Sequence, residues 1–151
     1  MLKLSKKTDY AIILLAHLGE THAPVSAQEL ASHYCLPNPM TANILKQLVT
    51  VGITESVRGQ HGGYVLARPA ESISLAEIVR VMDGPFTLVD CVHEEERCKV
   101  SLWCPTRGPL MALHRRIEQF LVETTLASII AESQLDLTSK QPQDYETAHL
   151  S

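Results

Sequence analysis

The chain has 151 residues, of which 45% are apolar and 20% charged, and a formal net charge of −4. Such a length and apolar content support one packed domain, or a small domain with an appended helix, and exclude wholesale disorder. No apolar run reaches a membrane span and the N-terminus lacks a signal-peptide core, so a cytoplasmic protein is expected, with its four cysteines used for metal binding, redox sensing or catalysis rather than structural disulfides.

From the N-terminus, residues 9–18 predict a buried helix with Tyr10, Ile13, Leu14 and Leu18 along one face. Residues 21–24 break it, and Ser26 with Glu29 has capping-box spacing for a short second helix through Leu30 and Ala31. Cys35, between the second and third helices, is expected to be a small buried apolar residue. Asn38 is expected to cap the third helix, with Pro39 in its first turn. Ile44, Leu45 and Leu48 give that helix its apolar side, and Gly52 ends it. Two strand-like runs, 53–57 and 64–67, flank the turn-rich tip RGQHGG. Ser74 and Glu77 repeat the capping-box spacing for a fourth helix, which stops at Asp83-Gly84-Pro85.

Beyond a polar cysteine-bearing stretch, Leu110, Leu113, Ile117, Phe120 and Leu121 lie on one face of a long helix, long enough to pair with another. Residues 125–131 read as a further short helical turn, and 133–151 as a frayed tail. His114 on the long helix is expected in solvent. Three helices, a hairpin and a helix predict a mainly α fold: a winged helix-turn-helix with a two-stranded β-hairpin wing and a long C-terminal dimerisation helix. The expected organisation is a DNA-binding domain over 1–84, a cysteine loop over 85–108, a dimerisation helix over 109–131 and a flexible tail over 132–151.

The charge distribution permits DNA binding despite the negative total. Residues 1–80 carry seven Lys/Arg against six Asp/Glu, while 81–151 carry six against eleven. Lys3, Lys6 and Lys7 gather near the start, Lys46 in the third helix and Arg58 at the hairpin. Thr41, Asn43, Lys46 and Gln47 are expected on the sides of the third helix that its leucines leave open, where they can reach base edges and phosphates. An ordinary solvated helix face fits the same residues, and it is the adjoining short helix and wing that favour DNA. At the hairpin tip the glycines allow a tight turn, and Arg58 with His61 can meet the DNA backbone or a minor groove; a glycine hairpin with a solvated Arg is the plain alternative. Double-stranded promoter DNA and a second copy of the chain are the expected partners, with no membrane and no small-molecule substrate. No Ser/His/Asp set, acid–base carboxylate pair or phosphate loop points to an enzyme.

Cys91, Cys98 and Cys104 form a C-x6-C-x5-C pattern in the stretch DCVHEEERCKVSLWCP. Glu94, Glu95, Glu96, Arg97 and Lys99 argue against burial of these thiols, and zinc more often takes a close C-x-x-C pair. Three thiolates on a polar loop suit an iron–sulfur cluster, with zinc, a redox disulfide and inert thiols remaining open. A fourth ligand has to come from elsewhere: Asp9, His93, a loop glutamate or a small molecule. A single Asp at a helix start is by itself ordinarily a cap.

Together LSKKTDYAIILLAHL, SVRGQHGGYVLARP, ISLAEIVRVMDGP and the loop cysteines resemble the Rrf2 family of winged-helix regulators, over residues 2–130. TDYAI, GGYVLARPAESIS and LWCPTRGP are most similar to regulators of SUF-type iron–sulfur assembly. The resemblance implies a homodimeric repressor carrying an iron–sulfur cluster, of 2Fe–2S or related type, on Cys91, Cys98 and Cys104. In the IscR branch a histidine three residues after the last cysteine completes the ligands; Arg107 stands there and cannot ligate. In the NsrR branch an aspartate near the start of the first helix, supplied by the partner subunit, does so, and Asp9 falls on that position. A same-fold regulator sensing nitric oxide or redox state, and a metal or cluster carrier that binds no DNA, are the alternatives.

Overall fold

The computed structural model describes residues 3–89, 100 and 103–139. The first helix, α1 (Lys6–Glu20), begins three residues earlier than its apolar period predicts, because the Ser5 hydroxyl accepts a hydrogen bond from the Thr8 N–H and caps it. Asp9 therefore lies inside the first turn, exposed, and is not the cap. Ala11, Leu14, Leu15 and Leu18 are buried at the i, i+3, i+4, i+7 spacing of one helix face.

Ser26 and Glu29 form the expected capping box of α2 (Ala27–His33), each side chain bonding the other's backbone N–H at 3.1 and 2.8 Å. The turn into α3 (Asn38–Thr50) corrects two expectations. Cys35 is exposed rather than buried, at a φ of 53°. It fills the left-handed position of a Schellman motif, in which Leu36 N–H reaches the Ala31 carbonyl at 2.8 Å and Cys35 N–H reaches that of Ser32 at 3.4 Å. Nor does Asn38 cap α3: Pro37 occupies that position without a side-chain cap, and Asn38 and Pro39 lie within the first turn.

Strands β1 (Thr54–Val57) and β2 (Gly63–Leu66) pair antiparallel, with Thr54 opposite Leu66 and Val57 opposite Gly63. Val25, just before α2, adds a third rung by exchanging backbone hydrogen bonds with Tyr64 at 3.1 and 2.8 Å. The wing is thus fastened to the helix-turn-helix. Ser74 caps α4 (Leu75–Asp83) through the Glu77 N–H, and Gly84 ends it at a φ of 89°. The Glu77 carboxylate does not close a capping box; it pairs with Arg68, whose guanidinium also donates to the Ser72 carbonyl at 2.9 Å.

Two further helices follow, α5 (Arg107–Glu123) and α6 (Leu126–Ser139). The predicted frayed tail thus begins as helix, and residues 140–151 lie outside the described ones. Leu126 is fully buried with Leu14, Leu45 and Ile78 in the hydrophobic core. Its N–H bonds the Ile73 carbonyl, and Leu75 N–H bonds that of Thr124, both at 2.8 Å. Ile130 packs against Gly19 of α1. Six α-helices and a two-stranded sheet, among the described residues, make the mainly α winged helix-turn-helix predicted from element order. No helix among them is long and apolar enough to cross a membrane.

Candidate nucleic-acid interface and cysteine loop

Burial of Ile44, Leu45 and Leu48 fixes which side of α3 meets solvent. Asn43 and Lys46 are exposed and Gln47 is half-buried beside them, as their spacing predicts. Thr41 is not on that surface. It is 1% exposed, and its hydroxyl donates to the Pro37 carbonyl at 3.1 Å, so its polar group is satisfied without solvent. Thr41 precedes Ile44, Leu45 and Leu48 by three, four and seven residues, so it shares their face.

The start of α1 borders this surface. Lys7 Nζ donates to Gln47 Oε1 at 2.7 Å, and Gln47 Nε2 lies 3.5 Å from Asn43 Oδ1. Ser5 and Thr8 hydroxyls donate to the Asp83 carboxylate at 2.5 and 2.7 Å, and Ser5 N–H adds a third bond at 3.3 Å. Burial alone would raise the Asp83 carboxyl, but these bonds and the Lys7 charge outweigh it and hold it below its ordinary value. Asp83 ends α4 and leads through Gly84 toward the cysteine stretch, so the helix bearing Asp9 is tied both to α3 and to the root of that stretch. Sequence reasoning placed Lys7 only within a basic cluster and gave Asp83 only as a helix end.

At the wing tip Arg58 and His61 are exposed, and Gly62 N–H closes the turn on the Gly59 carbonyl at 3.1 Å. A Cβ on Gly63 would stand 2.5 Å from the Val25 carbonyl oxygen, so only glycine allows the rung that holds the wing down.

Cys91 and Cys98 lie outside the described residues; Cys104 is described and half-buried just ahead of α5. Its sulfur is 3.3 Å from the Thr106 hydroxyl. That contact comes first and the Thr106 backbone second; with Arg107 they hold the thiol below its usual range against the opposing effect of burial. A thiol disposed to ionise suits a soft metal ion or cluster. Among the described residues no three His, Cys, Asp or Glu side chains converge as a metal site, and Asp9 is far along the chain from Cys104.

His114 corrects another expectation. It is 4% exposed, stacked on Phe86 at 5.2 Å between ring centroids, and its Nδ1 accepts from the Leu88 N–H at 3.4 Å. Its place at i+4 from Leu110, followed by Ile117 and Leu121, was the available signal. The predicted apolar face of α5 in fact divides. Ile117 and Leu121 line a groove of about 440 Å³ with Leu4, Val79 and Phe86, while Leu113 and Phe120 remain 46% and 65% exposed.

Residues 4–132 match the family described as Rrf2, iron-dependent transcriptional regulator. The HTH-type transcriptional regulator CymR of Bacillus subtilis strain 168 is 30% identical over 134 residues, which are 85% of this chain and 89% of that protein. The solved structure of B. subtilis CymR, described as its global cysteine regulator, matches at a TM-score of 0.70 and 28% identity, over 87% of this chain and 98% of that one. IscR of T. potens matches at a TM-score of 0.71 and 25% identity, over 95% and 97%. These relatives are regulators rather than enzymes. With the winged helix-turn-helix and a family match over most of its length, the chain belongs to the Rrf2 family of transcriptional regulators.

Proposed function

We propose that this chain is a homodimeric repressor that reads promoter DNA through α3 and the wing and whose affinity is set by an iron–sulfur cluster, with SUF-type assembly genes as its targets. The observation that carries the reading is the cysteine stretch, whose last member, Cys104, has a thiol eased toward the thiolate by Thr106. In this reading Cys91, Cys98 and Cys104 hold the cluster, and Asp9 of the partner subunit completes the ligands. Asn43, Lys46 and Gln47 meet the major groove, and Arg58 and His61 meet the backbone or minor groove. The functional divisions are the DNA-binding unit 1–84, completed by the start of α6, the loop 85–108, and α5 as the dimer helix, with Leu113 and Phe120 as its exposed apolar row. A bound cluster supplies iron whose ligands can be exchanged or lost.

The chain's own residues supply the coupling. A carboxylate holds iron more loosely than a thiolate, so Asp9 is the labile point of attachment. Movement of α1 at Asp9 shifts Thr8 and Lys7 with it, and through them the end of α4 and the side chain of Gln47. Small rotations suffice, because two recognition helices must match half-sites about 34 Å apart.

Anaerobically purified protein is expected to be coloured and to contain iron and sulfide; a colourless protein with stoichiometric zinc would sink the cluster assignment. Asp9→Ala is expected to alter the spectrum or shorten the cluster's lifetime, and an identical spectrum and lifetime would remove Asp9 from the ligands. Lys46→Ala is expected to weaken operator binding by about 1–3 kcal/mol and relax base preference at its position, and Arg58→Ala to weaken specific binding by a few kcal/mol at most. A second reading, a thiol- or nitric-oxide-responsive repressor of the same fold, draws support from the similarity to a cysteine regulator and from the same Cys104 thiol. The stimulus that changes operator affinity separates the two: iron supply for the first, thiol oxidants or nitric oxide for the second.

A further inference from the structure

We infer that Lys7 is a specificity-determining residue: by drawing the amide oxygen of Gln47 toward itself it biases that amide to act as a donor, so that the operator base beneath it is one that offers acceptors. The inference rests on α3 being the recognition helix and goes on to say which base chemistry that helix selects.

The polarity follows from elementary chemistry. An ammonium has only donors, so the Gln47 atom 2.7 Å from Lys7 Nζ has to be the carbonyl oxygen. Gln47 then turns its NH2 along the helix toward Asn43, one turn away, and the Asn43 atom 3.5 Å from it is the acceptor oxygen. Each step fixes the next amide: Lys7 donates to Gln47, and Gln47 to Asn43. The donors left for DNA are one N–H of Gln47, the NH2 of Asn43 and the exposed ammonium of Lys46.

A glutamine or asparagine reads adenine bidentately, donating to N7 while accepting from the N6 amino group. That contact needs the amide oxygen to face the N6 amino group; here the Gln47 oxygen holds the Lys7 ammonium, and its second lone pair lies beside a cation that opposes another donor. Guanine offers two acceptors, O6 and N7, and thymine offers O4, so these bases suit an amide that donates. A glutamine with no such neighbour is suited to adenine. Lys7, forty residues away, reverses that.

A simple phosphate contact by Lys7 makes a different forecast, since losing a phosphate contact weakens binding almost equally on every sequence. The two separate in an affinity selection of the full-length chain on a randomised duplex library, followed by anisotropy titrations of the best duplex and its single-base variants at one salt concentration. The wild-type chain is expected to prefer guanine or thymine at the Gln47 position of each half-site. Lys7→Met is expected to shift that position toward adenine by roughly fivefold or more. Lys7→Arg, still a donor-only cation, is expected to keep the wild-type preference. Adding Gln47→Ala to Lys7→Met is expected to abolish the shift. Uniform weakening by Lys7→Met with unchanged base preference overturns the inference, as does a shift that persists without Gln47. If Asn43→Ala and Lys46→Ala both bind the selected duplex as the wild type does, α3 is not the recognition helix and the inference falls with that reading.

Discussion

Truncating Leu126 to Ala tests whether α6 belongs to the core of the DNA-binding unit or is an appendage. The side chain is fully buried in the core it shares with Leu14, Leu45 and Ile78, so the change deletes three buried carbons. At about 0.8 kcal/mol per methylene the lost transfer energy is about 2.4 kcal/mol, and the residual cavity raises the expected loss to about 3 kcal/mol, within the 2–5 typical of such sites. For a domain whose whole stability is about 5–15 kcal/mol this is a large share. The backbone bonds of Leu126 to Ile73 and of Leu75 to Thr124 survive the substitution, so the measurement isolates packing. Urea unfolding followed by circular dichroism at a fixed protomer concentration gives the difference. Leu135→Ala, on the same helix but 71% exposed, is the control and is expected to change stability by no more than about 0.5 kcal/mol. A loss below about 1 kcal/mol for Leu126→Ala, or equal losses in both variants, refutes the placement of α6 in the core.

Gly63→Ala is expected to lower stability by about 1–3 kcal/mol, because the new methyl meets the Val25 backbone and parts the wing from the helix-turn-helix; unchanged thermal unfolding would refute this. Asp83→Ala is expected to cost about 1 kcal/mol at neutral pH, a figure kept small because the carboxylate is exposed. Since the folded carboxyl is held below its ordinary value, the stabilisation is complete above that value and disappears as pH falls through the depressed one, so wild-type and variant curves should converge in acid; parallel curves would count against it. Cys35→Gly is expected to match or exceed the wild type by up to about 1 kcal/mol, and Cys35→Val to fall below it, because the position is left-handed. The reverse order in chemical denaturation would contradict the turn geometry.

What the sequence made legible was whatever is decided locally. Ser26 with Glu29, Ser74, Gly84 and the glycine-rich wing tip act within a few residues, and their elements stand where spacing predicts. The exposure of Asn43 and Lys46 followed from the leucine period of α3 in the same way. The misreadings have a common cause in partners distant in sequence or in backbone geometry. Thr41 is polar in type, yet its hydroxyl is satisfied by Pro37 and so can be buried. His114 is buried because Phe86 and the Leu88 N–H meet it from another segment. The serine- and glutamine-bearing residues of α6 looked like tail because nothing nearby reveals that α1 awaits Leu126 and Ile130. Lys7 and Gln47 are separated by α2 and its flanking turns, so neither hints at the other.

The packing of the last described helix against the first also bears on how the protein is made. Synthesis delivers the helix-turn-helix and wing well before residues 126–130, yet the core of that unit is unfinished without them. Domains ordinarily fold as they emerge from the ribosome, N-terminal part first. Here the leucines of α1 lack part of their cover until α6 leaves the exit tunnel, and a chain stalled before that point is without the Leu126 and Ile130 side chains that complete the core.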